Sequence, residues 1–401
     1  MNKANLQPLK GFRDFLPDQA RKREFVINTL KEVFSSYGFE PLETPALEYT
    51  STLLGKSGQE TEKLIYKFMD RGEREIGLRY DLTIPLARVV AANADIPLPF
   101  KRYQIAPVWR ADKPQAGRYR EFWQADIDII NAKIGLADIE IIECALEVIR
   151  KLGFKDYKMI INDREIFKNY DLSLKAIIEL DKKVKEGEKP FLEQLLTEGK
   201  TVKEAQEILE KINQAKKTKI LEKISFLIGD DEISFDPTLA RGLDYYTSII
   251  FELRIEEYGN LSVGGGGRYD NLLGQVSGRN LPAVGFSFGL DRLIEAMEQQ
   301  DLFKNMKDSS SQALITVFSK EYLNNSLEIV SLLRSKGVNS EIYLNEEKLD
   351  RQIKYADKKG IRYVIILGPD EVKEDKITIK DLSSGSQRTI TLKEIDKFFL
   401  P

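Results

Sequence analysis

The stretch VWRADKPQAGRYREFWQADIDII, residues 108–130, reads as two strands around a short arginine-bearing turn. In the second strand Arg118, Arg120, Phe122, Gln124, Asp126 and Asp128 share one parity, while Tyr119, Trp123, Ala125, Ile127 and Ile129 share the other, with Glu121 the only charge among them. Successive strand residues point to opposite faces, so one face is core and the other polar. A solvated edge strand also alternates, but its polar face is usually Lys, Thr and Glu in no particular order. Here arginines come first and carboxylates last. That order puts anion-binding groups at one end of a groove and cation- or donor-binding groups at the other, which suits a zwitterionic substrate joined to a phosphate.

Working outward, a chain of 401 residues exceeds one ordinary core, so two or three domains are expected. The 42% hydrophobic and 31% charged content marks a soluble globular protein, with no apolar run near the roughly 20 residues a membrane span needs. No signal or transit peptide pattern is legible, and the lone Cys144 excludes an internal disulfide framework, both in keeping with a reducing cytoplasm. There is no histidine at all. Imidazole general bases, histidine-dependent serine triads and a Cys/His zinc site are thereby excluded, leaving Arg, Asp, Glu, Tyr and the backbone to do the chemistry. The net charge of −3 gives no global attraction to nucleic acid, so any RNA contact must use local basic patches.

Residues 17–37 read as a helix opened by Pro17 and closed by Gly38, with Val26, Leu30, Val33, Phe34 and Tyr37 on one stripe. Leu78 to Tyr80 reads as a strand leading into a helix from about Ile84 to Ala94, with Asp81 and Thr83 where N-cap residues belong. Residues 163–228 turn Lys/Glu-rich and helical, an insertion between a first core segment, 1–162, and a second, 229–303. Residues 304–312 are serine-rich and linker-like, and 313–401 alternate strands and helices, with a final strand pair around a Ser-Ser-Gly turn.

Four clusters carry chemistry: Asp81 and Thr83 in LRYDLT; Arg110, Gln124 and Asp128 in the opening hairpin; Arg241, Tyr245 and Tyr246 in ARGLDYYT; and Arg292 in GFSFGLDRL. Arginines from different elements, without a P-loop lysine, point to a nucleotide held by guanidinium forks. SVGGGGRYD lacks both GK[ST] and GxGxxG spacing, so its glycines are expected to let backbone pack tightly against a ligand or neighbouring strand. One of Tyr245 and Tyr246 is expected to be core, because adjacent strand residues diverge.

Taken together, LRYDLTIPLARVVA, residues 108–130, ARGLDYYTSIIFE, GGRYDNLLG and PAVGFSFGLDRL resemble the histidyl-tRNA synthetases, a family of class II aminoacyl-tRNA synthetases, over nearly the whole chain. The resemblance implies an α+β class II catalytic core, an antiparallel sheet flanked by helices, with a helical insertion and a C-terminal α/β anticodon-binding domain. Residues 17–49 resemble motif 1, which builds a homodimer; 108–130 resemble motif 2; GFSFGLDRL resembles motif 3. The implied partners are L-histidine, ATP with Mg²⁺ and tRNA(His), with no zinc and no membrane.

Carried over by position, the resemblance implies that Arg110 and Arg292 grip ATP phosphates, Asp112 lies near the adenine or ribose, and Arg241 lies beside the α-phosphate and carboxylate. Asp81, Leu82, Thr83 and Gln124 would surround the amino acid's α-amino group; Asp128 and Tyr246, with Tyr245 beside them, would meet the imidazole. Lys113 and Gln115 are candidates for the tRNA acceptor end, and Lys348 and Arg351, on a helix that also carries Lys354, Lys358 and Lys359, for the anticodon stem. A pocket that pairs both imidazole nitrogens can discriminate by roughly 10⁴–10⁵ without proofreading, so no editing domain is expected. Asp81 and Asp128 stand where many bacterial members carry glutamate. The chief alternative is the histidine-binding regulatory subunit of ATP phosphoribosyltransferase, which should lack the C-terminal domain and the arginines; a non-catalytic RNA-binding derivative is a third.

Overall fold

The computed structural model describes residues 6–54, 59–113, 119–181, 187–241, 245–259 and 262–399. It forms two compact units, Met1–Lys304 and Asn305–Pro401. In chain order the first unit holds strands β1 Glu40–Pro41, β2 Leu47–Tyr49, β3 Lys67–Met69, β4 Glu75–Leu78, β5 Phe100–Trp109, β6 Glu121–Ile130, β7 Tyr157–Asp163, β8 Ile233–Phe235, β9 Ile249–Ile255, β10 Ser262–Arg268 and β11 Ala283–Gly289. The main sheet has eight strands in the order β1-β5-β6-β11-β10-β9-β7-β8. It is antiparallel from β5 to β7, as the resemblance implied, but the edge strands β1 and β8 are added in parallel.

The hairpin of residues 100–130 pairs from Phe100 with Ile130 to Trp109 with Glu121. Ala125, Ile127 and Ile129, together with Tyr103, pack against the helices Pro17–Ser36 and Leu136–Leu152. Each buried isoleucine contributes about 1.5–3 kcal/mol, enough to lock the strand's facing, since a one-residue slip would turn the aspartates into the apolar core between sheet and helices. Pro17 opens the first helix, whose buried stripe is Val26, Leu30, Val33 and Phe34; Gly38 follows at φ +75°.

The helix after β4 runs Thr83–Ala92. Leu82 is its N-cap, and Thr83 is its first residue rather than its cap. Asp81, one residue before the N-cap, still serves the helix start by accepting the Ile84 N–H at 3.1 Å. Between β7 and β8 lie the helices Glu165–Lys168, Leu174–Asp181, Lys189–Thr197, Val202–Asn213 and Lys219–Ile228. The first four share a small core of their own that includes Phe167, Leu180, Phe191 and Leu209, whereas Leu221 and Ile224 of the fifth are buried in the main core.

The second unit is a five-stranded sheet with helices. Its strands are β12 Ala313–Ile315, β13 Ser340–Ile342, β14 Tyr363–Ile366, β15 Lys376–Asp381 and β16 Gln387–Thr391, ordered β13-β12-β14-β15-β16. The first three are parallel, joined through the helices Leu323–Ser335 and Leu349–Lys358; β15 and β16 form the hairpin read from the Ser-Ser-Gly turn. A short helix, Pro369–Lys373, was not anticipated.

Candidate active site

A cleft of about 500 Å³ lies on the polar face of the main sheet. Asp81, Thr83, Arg110, Asp112, Lys113, Gln124, Asp128, Arg241, Tyr245, Tyr246 and Arg292 all line it. Leu82 does not: its side chain is fully buried with Ala106, Val108 and Phe122, and what it offers locally is a carbonyl that accepts from Arg102 at 3.3 Å. Gln115 lies outside the described residues. Lys348 and Arg351 belong to the second unit, where both are exposed and Arg351 pairs with Glu347 at 3.2 Å.

Strand register arranges the cleft floor in rows about 7 Å apart, the rise of two strand residues. In the first row Asp128 stands opposite Gly285, and Gly285 opposite Gly267. The second is Asp126, Ser287 and Gly265; the third brings Gln124 to Gly289, just before Arg292. Two glycines are required by close approach. A Cβ on Gly285 would sit 2.0 Å from Asp128 Oδ1, and one on Gly265 would sit 2.6 Å from Cζ of Arg241. The glycine run thus makes room for neighbouring side chains, the Arg241 guanidinium among them.

At the carboxylate end Asp128 is already engaged. Arg102, on β5 directly opposite, brings Nη2 to 2.7 Å from Asp128 Oδ2, and Tyr269 donates its hydroxyl to Oδ1. Arg102 is wholly buried, and its Nε and Nη1 have no hydrogen-bond partner; neither has Asp126 Oδ1. Burial raises the pKa of Asp126 to about 7 against the pull of Arg102, and that of Asp81 to about 6 against the Ile84 amide and the charge of Arg110. Burial also raises that of Asp128, opposed by Arg102 and Tyr269. Gln124 donates to Ser287 Oγ at 2.7 Å.

The arginines enter from three elements. Arg110, at the end of β5, donates from Nε to the Tyr80 carbonyl at 3.1 Å and lies over the Phe122 ring at 5.0 Å. Arg292, on the helix Leu290–Gln299, donates to the Ser262 carbonyl at 3.1 Å. Arg241 is paired within the protein: Nη1 meets Glu252 at 3.0 Å, and Glu252 also accepts from Arg254 at 2.7 Å. Burial alone would lower the Arg241 pKa, but Tyr246, Glu252 and Asp181 more than reverse it, so its charge is secure.

Of the two tyrosines Tyr246 is the core one, buried with Ile160, Leu239 and Ile250, as expected of one of the pair, but strand alternation is not the reason. Tyr245 and Tyr246 precede β9 in irregular backbone, where strand alternation does not apply, and both line the cleft with rings 4.9 Å apart. The aspartate Asp291, beside Arg292, is buried and takes Arg13 and Arg23, each at 2.7 Å. Sequence reasoning passed over Arg102, Tyr269, Ser287, Glu252, Asp181 and Asp291, and assigned no role to Asp126. A signal existed for two of them. Asp126 shares the parity of Gln124 and Asp128, and a hairpin with ends at Trp109 and Glu121 sets 102 opposite 128.

Among known proteins, the family described as histidyl-tRNA synthetase matches residues 11–171 and 168–293, and the anticodon binding domain family matches 312–400. The histidine–tRNA ligase of Cytophaga hutchinsonii is 38% identical over 441 residues, covering 96% of this chain and 97% of its own. A crystal structure of histidyl-tRNA synthetase from Nostoc sp. PCC 7120 superposes with a TM-score of 0.83 at 29% identity, covering 99% of both chains. A chain described as an ATP phosphoribosyltransferase regulatory subunit/histidyl-tRNA synthetase, from Bacillus halodurans C, superposes at 0.72 with 21% identity over 91% of this chain, a likeness of fold alone.

Proposed function

The chain belongs to the histidyl-tRNA synthetase family, and on that premise we propose that its cleft activates L-histidine with ATP, giving histidyl-adenylate and pyrophosphate, and then transfers histidine to the 3′ end of tRNA(His). The observation that carries this reading is the graded floor of the cleft: Asp128 in the first row, Asp126 with Arg241 in the second, Gln124 beside Arg292 in the third, and Arg110 beyond. A substrate that is a cation and ring donor at one end and a polyphosphate at the other fits that gradient.

In this reading Asp81, Thr83 and Gln124 hold the α-ammonium group, and Asp128 and Tyr246 face the imidazole. Arg110 and Arg292 take the ATP phosphates with Asp112 near the nucleoside, and Arg241 bridges the carboxylate and the α-phosphate. A carboxylate oxygen of histidine attacks the α-phosphorus, the bond from that phosphorus to the bridging oxygen breaks, and pyrophosphate leaves with the electron pair. The nucleophile is already ionised, so in-line positioning and charge stabilisation suffice, and a chain without histidine can supply both. Mg²⁺ would arrive with ATP and neutralise phosphate charge; among the described residues no group of three or more Asp, Glu, Cys or His is placed to hold a metal.

Several further features support the surrounding reading. The second unit matches an anticodon-binding family, in keeping with Lys348 and Arg351 meeting tRNA; Lys113 and Gln115 would meet its acceptor end, and the insertion would clamp the acceptor arm. Leu47, Tyr49 and Phe68 leave an apolar face exposed on the small β2-β4-β3 sheet, as a homodimer interface would. Among the described residues no helix is long and apolar enough to cross a membrane, which suits a cytoplasmic enzyme. The regulatory-subunit alternative is less favoured, because this chain keeps Arg110, Arg241 and Arg292 in one cleft and carries the C-terminal unit.

The test is ATP–pyrophosphate exchange with each of the twenty amino acids. Exchange with histidine alone, falling by about 10²–10³ in Arg241→Ala, is expected. Histidine binding without exchange would favour the regulatory reading.

A further inference from the structure

Arg241 has a left-handed backbone, φ +58°, a conformation that costs a residue with a Cβ on the order of 1 kcal/mol and persists only when its surroundings enforce it. Two parts of the first unit do the enforcing. The sheet holds the side chain, with the guanidinium lying over Gly265 and paired to Glu252. The helical insertion holds the backbone. The Arg241 N–H donates to Asp181 Oδ1 at 2.7 Å, and Asp181 is the last residue of the insertion helix Leu174–Asp181. The preceding residue, Ala240, is fully buried in the insertion's own core with Ile177 and Leu180.

A left-handed residue anchored by a charged acceptor on one side and a buried methyl on the other has little freedom to shift its guanidinium. We propose that Asp181 is a positioning residue for the activation step, and that the helical insertion sets the geometry of Arg241 even when no RNA is bound. This rests on the activation reading given above. An RNA clamp alone would have no reason to reach the backbone of a cleft arginine; an insertion that does so ties its own folding to the chemistry of the sheet. Displacing a reacting group by about 1 Å can cost 10²-fold in rate, so loss of this one acceptor should be visible without any change in what the cleft binds.

The experiment is histidine-dependent ATP–pyrophosphate exchange, without tRNA, on the full chain and on Asp181→Ala, Asp181→Asn and Asp181→Glu, with thermal melting of each. Asp181→Ala is expected to lower kcat by about 10–10²-fold, with the KM values for histidine and ATP within about twofold and the melting point unchanged. Asp181→Asn keeps an acceptor oxygen and should recover most of the rate; Asp181→Glu keeps the charge but moves the oxygen, and should lose several-fold. If Asp181→Ala does not fold, the other two decide: a wild-type rate in Asp181→Glu, or a loss in Asp181→Asn as deep as a missing side chain would cause, overturns positioning in favour of no role or of direct contact with substrate. A rise in KM without a fall in kcat overturns it as well. If the unaltered chain exchanges with no amino acid, the activation reading itself fails, and this inference with it.

Discussion

On the helix-covered face of the main sheet Arg268 meets Asp138 fork to fork, Nε to Oδ1 at 3.0 Å and Nη2 to Oδ2 at 2.7 Å; on the cleft face Arg102 meets Asp128 through one nitrogen. Both pairs are almost completely buried. Arg268 has Nη1 satisfied as well, by the Ala132 carbonyl and Asp270, and Asp138 also accepts the Gly135 N–H that opens its helix. Arg102 has two nitrogens without partners, and Asp126 beside it has an oxygen without one. A buried charge lacking hydrogen bonds is costly, so the two faces of one sheet solve different problems. Beneath the sheet, ion pairing ties a strand to a helix. On the cleft face polar capacity is left open, at Asp126 in the cleft lining and at Arg102 beneath it.

The largest stability effect should come from the satisfied pair. Arg268→Met strands Asp138 without its fork and is expected to cost about 3–5 kcal/mol in denaturant unfolding. Arg102→Met also strands a carboxylate, Asp128, but it removes a poorly satisfied cation and leaves Asp128 the Tyr269 hydroxyl and the option of taking up a proton, so it should cost less; equal losses would erase the distinction between the faces.

A smaller effect, with the opposite sign, is expected at Asp126. Its folded pKa of about 7 lies above the ordinary 3.8, so as pH rises between these values the unfolded chain releases a proton that the folded chain keeps. Stability therefore falls with rising pH across that window, and nothing is lost below it. Asp126→Asn should be stabilising at pH 8, by about 4 kcal/mol at the very most, and nearly neutral below pH 4. A pH-independent difference in melting would contradict the unfavourable burial of this carboxylate.

The least effect belongs where neither kind of burial exists. Lys348→Ala and Arg351→Ala remove exposed charges and should change stability by less than about 0.5 kcal/mol. Pyrophosphate exchange should be untouched, and tRNA charging should fall a few-fold with a weaker salt dependence. A loss of exchange in either variant would mean that the second unit influences the cleft.

How much of this was legible differs residue by residue. The facing of Gln124, Asp126 and Asp128 was readable because Ala125, Ile127 and Ile129 supply an apolar alternation that admits one register. The place of Asp81 at a helix start was readable from its position before an apolar helix. Tyr246 is core, as expected of one of the tyrosine pair, but its burial comes from tertiary packing and not from alternation, since neither tyrosine lies in a strand. The partners of Arg241 were not legible, since Glu252 and Asp181 reach it from β9 and from a helix 60 residues earlier.

Periodicity, caps and turn chemistry act between near neighbours, and in this chain they settled the strand faces, the helical insertion and the α/β texture of the second unit. The absence of histidine left Arg, Asp, Glu, Tyr and the backbone to do the chemistry. Which carboxylate is tied up and which is left open could not be read that way. Asp128 is engaged because register brings Arg102 opposite it, Asp126 keeps one oxygen without a partner, and Arg241 is bent because an insertion folds back upon it. Those outcomes depend on distance and desolvation between residues far apart in sequence, and both quantities exist only once the sheet has closed over its core.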